Sequence, residues 1–407
     1  MASTPHPLRR DAQWRRTRRG AVIYTCTWPA PAGAAPPSAR ALLLPGYNSS
    51  IGGHQDFLAA LLTAHGVEVF ALDNHAFGRS TAADEHRVPP LSALDAARRA
   101  VARALCFHGL RGYVPSWDCL VDDAAWLLEE LARERGPLPT VLYGESMGGA
   151  LSLSTARAAR GPAREALAGI ILSAPMCAIG AGAQPHPALV ALGRALAVLA
   201  PTAPAPFTKD ITPLIFRDES RRAEALRNPL RHAGPVRLRT AFSLKGGAAR
   251  AAADAARCEL PLLLLHGTAD AVCPAAASRA VFAAAPATDK TLIEYDGAWH
   301  ALWAESVDTR RRLAADVLGW LAARVPTRAP HASVAPYEDD AAAAAAAAEL
   351  APRAVAAARA GGAHGVLLSR PLGVGAFRDA SVWTAQPDDH ADACWHELAA
   401  AARVKGV

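Results

Sequence analysis

The sequence predicts an α/β fold in which a mainly parallel sheet carries helices on both faces. Short apolar runs that suit buried strands, such as residues 67–73, 169–173 and 260–265, alternate with longer segments that suit helices. Such alternation is typical of a parallel sheet that is covered on both sides. Because the carboxyl ends of parallel strands share one edge, we expect the polar residues that follow these runs to meet there.

Three segments illustrate the predicted elements. Residues 20–28 suit an edge strand, and residues 40–44 suit a core strand. The segment from Asp118 to Arg135 predicts an amphipathic helix, because its apolar residues recur at helical spacing. The residues of this stripe are Leu120, Ala124, Leu127, Leu128 and Leu131.

The composition suits one large core with appendages. The chain has 407 residues, of which 51% are hydrophobic and 20% are charged, and this length is enough to bury such a core. The net charge of +6 is spread along the chain without a nucleic-acid-binding motif, so we expect no nucleic-acid partner. Seven cysteines at irregular spacing suggest neither a disulfide framework nor a metal site. An odd cysteine count and the lack of a long apolar span favour a cytoplasmic protein.

The N-terminal residues 1–19 are rich in arginine and predict a basic extension that precedes the domain. No apolar stretch comes before Ala21, which argues against a secretory signal. An organelle-targeting peptide is a weaker alternative, because the stretch is short and poor in serine.

The most informative motif is Gly-Glu-Ser-Met-Gly at residues 144–148, which follows an apolar run and precedes a helical segment. Glycines tolerate the close approach of strand and helix, and the serine between them projects its hydroxyl above the sheet edge. The N–H of Met147 then points to where an oxyanion would form beside Ser146. By the motif alone, an ordinary strand-to-helix turn is the alternative.

Two further strand ends carry the groups that a serine nucleophile needs. Asp270 follows the apolar run 260–265, and His300 follows the run 291–295. A serine hydroxyl needs an imidazole base, which in turn needs an orienting carboxylate. The α/β-hydrolase fold has these groups in the order serine, acid, histidine. The sequence therefore predicts this fold and a triad of Ser146, Asp270 and His300.

Three other polar residues compete with these assignments. His266 ends an apolar run, which favours a structural hydrogen bond. Asp296 is too near His300 along the chain to be an obvious orienting acid. His54 lies in a glycine-containing loop and has no acid paired with it in the sequence.

The loop Pro45-Gly46-Tyr47 follows the predicted strand at residues 40–44. In this fold a backbone N–H from an early loop supplies the second oxyanion donor. We expect the N–H of Tyr47 to be this donor, together with that of Met147. A plain turn that ends the strand is the alternative.

Residues 174–247 interrupt the alternation and predict a cap insertion. Its most apolar part, residues 188–200, contains Arg194 as its single charge. This segment predicts an acyl-chain tunnel wall or a membrane-docking face, so peripheral membrane contact through the cap is one expectation. A helix that packs on the core is the alternative.

The hydrolase domain is expected to span residues 20–325. Beyond it we expect a linker at 326–336, an alanine run at 341–348, a short strand at 365–369 and a terminal helix at 391–404. Residues 326–407 thus form an appendage to which the sequence assigns no function.

The chain also resembles the monoacylglycerol lipase and lysophospholipase-like serine hydrolases, in particular the plant branch that includes caffeoylshikimate esterases. The matching segments are 109–123, 142–150, 173–177, 208–211, 221–229, 237–240, 266–270 and 289–303. The resemblance implies Ser146 as nucleophile, Asp270 as orienting acid and His300 as base, with Tyr47 and Met147 as the oxyanion donors. It implies no metal or organic cofactor.

The implied substrate is a monoacylglycerol or a lysophospholipid. The alternatives are a phenylpropanoid ester such as caffeoylshikimate, acyl transfer by the same triad, and a catalytically weak binding protein of the same fold. One departure matters, because the family has histidine where this chain has Pro45. Proline lacks an N–H and has a fixed φ, so the loop must rearrange its hydrogen bonds.

Overall fold

The computed structural model describes residues 11–28, 34–52, 54–81, 97, 110–178, 187–205, 208, 210–328 and 366–370. The predicted alanine run and terminal helix lie outside these residues. Within them, nine strands form one sheet. The strands are β1 (Asp11–Arg16), β2 (Val22–Trp28), β3 (Ala39–Leu44), β4 (Val67–Leu72), β5 (Thr140–Glu145), β6 (Leu167–Ser173), β7 (Leu262–Gly267), β8 (Lys290–Tyr295) and β9 (Val366–Arg370).

The order of the strands in the sheet is β1-β2-β4-β3-β5-β6-β7-β8-β9. The pairs β1–β2 and β2–β4 are antiparallel, and every other pair is parallel. The predicted α/β-hydrolase fold with a mainly parallel sheet is therefore confirmed. The carboxyl ends of β3 to β8 lie at one edge of the sheet, which brings the loops after them together.

Helices cover both faces of the sheet. They are α1 (His54–Ala64), α2 (Trp117–Arg135), α3 (Met147–Ala158), α4 (Gly161–Glu165), α5 (Pro187–Leu199), α6 (Thr212–Ile215), α7 (Glu219–Arg227), α8 (Leu238–Ala255), α9 (Ala275–Ala284), α10 (Val307–Ala322) and a 3₁₀ helix (Leu302–Ala304).

Two apolar clusters, one on each face, form the core. Successive residues of a strand point to opposite faces, so Leu42 and Leu44 pack in one cluster with Leu128 of α2. Leu43 packs in the other cluster with Trp320 of α10. This double burial explains why the core strands are continuous apolar runs rather than alternating ones.

The N-terminal segment differs from the prediction of a basic extension up to residue 19. Strand β1 pairs with β2 along its whole length, so the sheet already begins at Asp11. Arg15 lies 2.9 Å from Glu134 and Arg19 lies 2.6 Å from Asp123, both of helix α2, while Arg18 contacts Glu129 of the same helix. Arg15, Arg18 and Arg19 therefore pair with an acidic face of the domain.

The insertion predicted at 174–247 contains helices α5, α6 and α7, and it ends within α8. We call the segment between β6 and α8 the cap. The N–H of Ala301, which follows His300, donates to the carbonyl of Ile215 in α6 at 3.2 Å. The cap therefore lies at the carboxyl edge of the sheet.

Beyond residue 328, the described part of the tail is a single strand. Residues 365–369 were predicted as a short strand, and β9 spans Val366–Arg370. It pairs in parallel with β8 and ends the sheet on that side.

Candidate active site

Ser146 lies on a strained turn between β5 and α3. Its φ is 52° and its ψ is −117°, a combination that residues other than glycine rarely adopt. Hydrogen bonds hold the turn: the Ser146 N–H donates to the carbonyl of Ser173 at 2.9 Å, and its carbonyl accepts from the N–H of Met176 at 2.9 Å. A strained backbone that the surrounding hydrogen bonds hold in place is typical of a functional position.

The glycines on either side of Ser146 have no room for a side chain. A Cβ on Gly148 would lie 1.8 Å from the carbonyl oxygen of Leu44, and one on Gly144 would lie 2.2 Å from the carbonyl oxygen of Gly148. Strand β5, helix α3 and the end of β3 thus approach each other closely. The structure shows the close approach that the sequence motif predicts.

Asp270 and His300 come together from two neighbouring strand ends. Asp270 follows β7, His300 follows β8, and both side chains are buried. Nδ1 of His300 lies 2.7 Å from Oδ2 of Asp270. Because Nδ1 of His300 donates to Asp270, the other ring nitrogen, Nε2, is left for the hydroxyl of Ser146.

The carboxylate of Asp270 is held on both oxygens. Oδ1 accepts from the N–H of Val272 at 2.8 Å and from that of Cys273 at 2.9 Å. Burial alone would raise the pKa of Asp270, but hydrogen bonds from His266 and His300 outweigh it, and the net pKa lies well below its ordinary value. The carboxylate therefore stays ionised beside His300.

The competing residues occupy different places. His266 is fully buried, and its ring lies 2.7 Å from Oγ of Ser278 and 2.8 Å from the carbonyl of Cys273, so it makes the structural hydrogen bonds that were expected. Asp296 is exposed and accepts from Oγ1 of Thr268 at 3.1 Å. His54 begins α1, and its side chain lies outside the described ones.

Among the described residues, the structure gives no hydrogen bond between the Ser146 hydroxyl and Nε2 of His300. Catalytic hydrogen bonds of this kind are commonly long until substrate binds. The thiol of Cys273 lies beside the Ser146 hydroxyl instead. Burial raises the pKa of Cys273 well above its ordinary value, and the Asp270 carboxylate adds to the rise. Cys273 is thus a neutral residue that borders Ser146. The sequence analysis did not identify it.

The loop after β3 places Gly46 against Ser146. A Cβ on Gly46 would lie 3.5 Å from Cβ of Ser146. Nδ2 of Asn74, a buried residue after β4, donates to the carbonyl of Pro45 at 3.1 Å. This hydrogen bond, which the sequence analysis missed, holds the loop through a carbonyl that proline retains.

The two predicted oxyanion donors are the backbone N–H groups of Met147 and Tyr47. Met147 is the first residue of α3, where the N–H has no partner within the helix. Tyr47 follows Gly46, and its ring packs edge-on against Phe77 with centroids 5.2 Å apart. Burial raises the pKa of the Tyr47 hydroxyl to about 12, with Arg231 and Arg237 opposing the rise. The Tyr47 side chain is thus a neutral part of the loop.

Comparison with known proteins decides the family. A family model described as "Serine aminopeptidase, S33" matches residues 35–307, which is more than half of the chain. The chain belongs to this family. It is an α/β-hydrolase and a serine hydrolase of the monoacylglycerol lipase-like kind.

Two curated proteins with similar sequences are named as a lipase and an esterase. A monoacylglycerol lipase from Mycolicibacterium smegmatis is 27% identical over 285 residues, 70% of this chain and 88% of that protein. A caffeoylshikimate esterase from Arabidopsis thaliana is 30% identical over 166 residues, 40% of this chain and about half, 49%, of that protein.

The fold has a close counterpart among solved structures. A soluble variant of the monoglyceride lipase from Saccharomyces cerevisiae, in complex with a substrate analogue, matches with a TM-score of 0.62 and 20% identity. The match covers 80% of this chain and 99% of that one. At this identity the likeness shows the shared fold.

The cap exposes aliphatic side chains on helix α5. Val198 is 68% exposed and Leu199 is 82% exposed, while Ala197, which precedes them, is buried against Leu238. The helix therefore packs on α8 with one face and presents apolar side chains to solvent with another. The predicted apolar segment 188–200 also contains Leu192, whose side chain lies outside the described ones. Among the described residues, no helix is both long and apolar enough to cross a membrane.

Proposed function

We propose that this enzyme hydrolyses carboxylic esters through an acyl-enzyme on Ser146. The observation that carries the proposal is the 2.7 Å contact between Nδ1 of His300 and Oδ2 of Asp270, at the same sheet edge as the strained turn at Ser146. A buried histidine paired with an ionised carboxylate is the base that a serine nucleophile requires.

In the proposed reaction, Nε2 of His300 takes the proton of the Ser146 hydroxyl as its oxygen attacks the ester carbonyl. The N–H groups of Tyr47 and Met147 stabilise the resulting oxyanion. His300 then gives its proton to the departing alcohol, which leaves Ser146 acylated. Water, deprotonated by His300, attacks the acyl-enzyme, and the carboxylic acid leaves as Ser146 regains its proton. Asp270 holds the tautomer of His300 throughout and remains ionised.

The proposed substrate is a monoacylglycerol or a lysophospholipid. The names of the Mycolicibacterium and Saccharomyces proteins support a glycerol ester of a fatty acid. The exposed aliphatic face of α5 supports an acyl chain or a lipid surface as its partner. The name of the Arabidopsis relative favours a phenylpropanoid ester as the second candidate.

Peripheral membrane contact through the cap is part of the proposal. Helix α5 exposes Val198 and Leu199. The residues that line a groove between α5 and α8 include Arg194, Arg239 and Lys245. Aliphatic side chains next to cations suit the interface of an anionic bilayer. Sedimentation of the Ser146→Ala protein with phosphatidylglycerol vesicles, compared with phosphatidylcholine vesicles, tests this contact without hydrolysis of the lipid.

Covalent labelling with a fluorophosphonate probe tests the proposed chemistry. The wild-type protein should be labelled, and Ser146→Ala should lose both labelling and ester hydrolysis. Loss of a triad nucleophile typically removes about six orders of magnitude of turnover. Ser152→Ala is the matched control, because Ser152 is a buried serine of α3, the helix that follows Ser146, and it donates to the carbonyl of Gly148 at 2.9 Å.

The outcomes separate the candidate functions. Labelling of Ser146→Ala would place the nucleophile elsewhere, and a folded wild-type protein without labelling would favour a binding protein. Turnover across monoacylglycerols, lysophospholipids and hydroxycinnamoyl esters separates the two ester classes. Release of a new ester in place of the free acid, when an acceptor alcohol is added, would indicate acyl transfer.

A further inference from the structure

The loop that carries Tyr47 is joined to the cap by a pair of hydrogen bonds. Oδ1 of Asn48 accepts from the N–H of His232 at 2.7 Å, and Nδ2 of Asn48 donates to the carbonyl of His232 at 3.0 Å. A single side-chain amide thus uses both its acceptor and its donor on one residue of the cap. Asn48 directly follows the proposed oxyanion donor in the chain.

Neighbouring contacts fasten the same part of the cap. We call residues 228–232 the cap anchor. Arg111 donates from Nη1 to the carbonyl of Gly78 at 2.9 Å and also to the carbonyl of Leu230. The ring of His232 lies against Gly112, where an added Cβ would come within 2.5 Å of it. The cap anchor therefore lies directly on the loops at the carboxyl edge of the sheet.

Asparagine suits this position for two independent reasons. The φ of Asn48 is 58°, a left-handed conformation that asparagine and glycine tolerate better than other residues. Only asparagine among these also offers a donor and an acceptor at a single amide. Glycine keeps the backbone conformation but loses both hydrogen bonds, whereas aspartate keeps only the acceptor.

We infer that Asn48 is a positioning residue that sets the oxyanion loop against the docked cap, so that cap position controls how well the Tyr47 N–H meets the oxyanion. This inference rests on the proposed function and extends it. The Tyr47 N–H belongs to the peptide that links Gly46 to Tyr47. On one side of this peptide, the side chain of Asn48 is tied to the cap. On the other side, Gly46 packs on Ser146 and Asn74 holds Pro45. Loss of the hydrogen bonds between Asn48 and His232 therefore frees the loop next to the Tyr47 N–H.

The experiment compares Asn48→Gly, Asn48→Asp and the control Asn228→Ala on p-nitrophenyl acetate, a short ester chosen to minimise contacts between the acyl group and the cap. Asn48→Gly should lower kcat about tenfold to a hundredfold with KM little changed, because removal of an oxyanion donor costs about 10²–10³ in kcat and displacement costs less. Asn48→Asp should be intermediate. Asn228 also belongs to the cap anchor. Its Nδ2 reaches Oγ of Ser50 at 3.5 Å and its Oδ1 accepts from the N–H of Leu230 at 2.9 Å, and neither bond involves the residues from Pro45 to Asn48. Asn228→Ala should therefore keep kcat within about twofold of wild type.

Three results would overturn the inference. One is an unchanged kcat in Asn48→Gly with unchanged thermal stability. The second is an equal loss in Asn228→Ala, which would indicate general loosening of the cap. If Asn48→Gly does not fold, Asn48→Asp replaces it in the test. The third result is then a kcat of Asn48→Asp equal to that of the wild type. In each case an inactive Ser146→Ala leaves the proposed function standing, whereas an active Ser146→Ala removes it.

Discussion

Nε2 of His266 lies 3.2 Å from Oδ2 of Asp270, the same oxygen that lies 2.7 Å from Nδ1 of His300. Nε2 of His266 also lies 2.8 Å from the carbonyl of Cys273. A carbonyl and a carboxylate only accept, so Nε2 carries the proton and donates to both. In the neutral ring, Nδ1 then accepts from the hydroxyl of Ser278, 2.7 Å away. A second histidine thus orients the candidate acid.

His266→Gln should therefore loosen the hold on the Asp270 carboxylate while Asp270 itself stays in place. We expect a loss of about 1–3 kcal/mol in the free energy of unfolding, because a buried hydrogen-bond network is broken. Turnover should fall by less than about a hundredfold, because Asp270 keeps His300 and the two backbone donors. Ser278→Ala should act in the same direction with a smaller effect. Chemical denaturation and ester kinetics measure both, and a loss of turnover as large as that of Asp270→Asn would contradict the supporting role.

Asp270→Asn should cost far more turnover than Asp296→Asn. His300 needs an anionic acceptor at Nδ1 to keep its tautomer and to stabilise the imidazolium, and such a replacement costs about 10⁴ in kcat. Asp296 is exposed and contacts Thr268 instead of the buried pair, so its replacement should change kcat less than about threefold. Both variants remove one negative charge from the same edge, which makes them matched. A larger loss in Asp296→Asn would move the role of the acid to that residue.

The stability contributed by Asp270 should be lost in acid. The folded-state pKa of Asp270 is lowered, so its contribution is fully present above the pKa of the unfolded chain, about 3.9. The contribution is lost as pH falls from that value toward the lower folded-state pKa. The difference in the free energy of unfolding between wild type and Asp270→Asn should therefore shrink as the pH is lowered from about 5 to about 3. Urea unfolding at several pH values measures it, and a constant difference would contradict the ionised, hydrogen-bonded carboxylate.

The exposed aliphatic residues of α5 should govern chain-length preference and leave the chemistry unchanged. The double variant Val198→Gln/Leu199→Gln should slow the hydrolysis of long-chain monoacylglycerols and spare p-nitrophenyl acetate. Each buried methylene contributes about 0.8 kcal/mol to binding, so long chains sense an apolar surface that acetate does not reach. Kinetics on a series of chain lengths measure this selectivity.

Leu226→Gln is the control for the cap variant, because Leu226 is 50% exposed on α7. We expect it to leave the chain-length profile unchanged. An equal loss of long-chain and acetate hydrolysis in the double variant, at unchanged stability, would instead support a helix that is only packed on the core.

The local elements of this protein follow from local sequence. The predicted helix from Asp118 to Arg135 is Trp117–Arg135 in the structure, where the Ser116 hydroxyl accepts from the N–H of Cys119. The turn at Ser146 was predictable because glycines are required wherever a strand and a helix approach closely. These features depend on periodicity and on backbone sterics over a few residues, which the sequence displays directly.

Only the tertiary structure decided which further residues contact the predicted site. The sequence predicted the loops of Asp270 and His300 at one edge, but it contains no sign that His266 shares the carboxylate or that Cys273 borders Ser146. Asn48 and His232 are 184 positions apart, and nothing local marks either one as the partner of the other. The sequence predicted residues 1–19 as a basic extension, and it contained no sign that strand β1 brings Arg15, Arg18 and Arg19 to the acidic side chains of α2. A side chain's type limits the bonds it can make, but its partner is set by strand order and packing, which arise only when the whole chain folds.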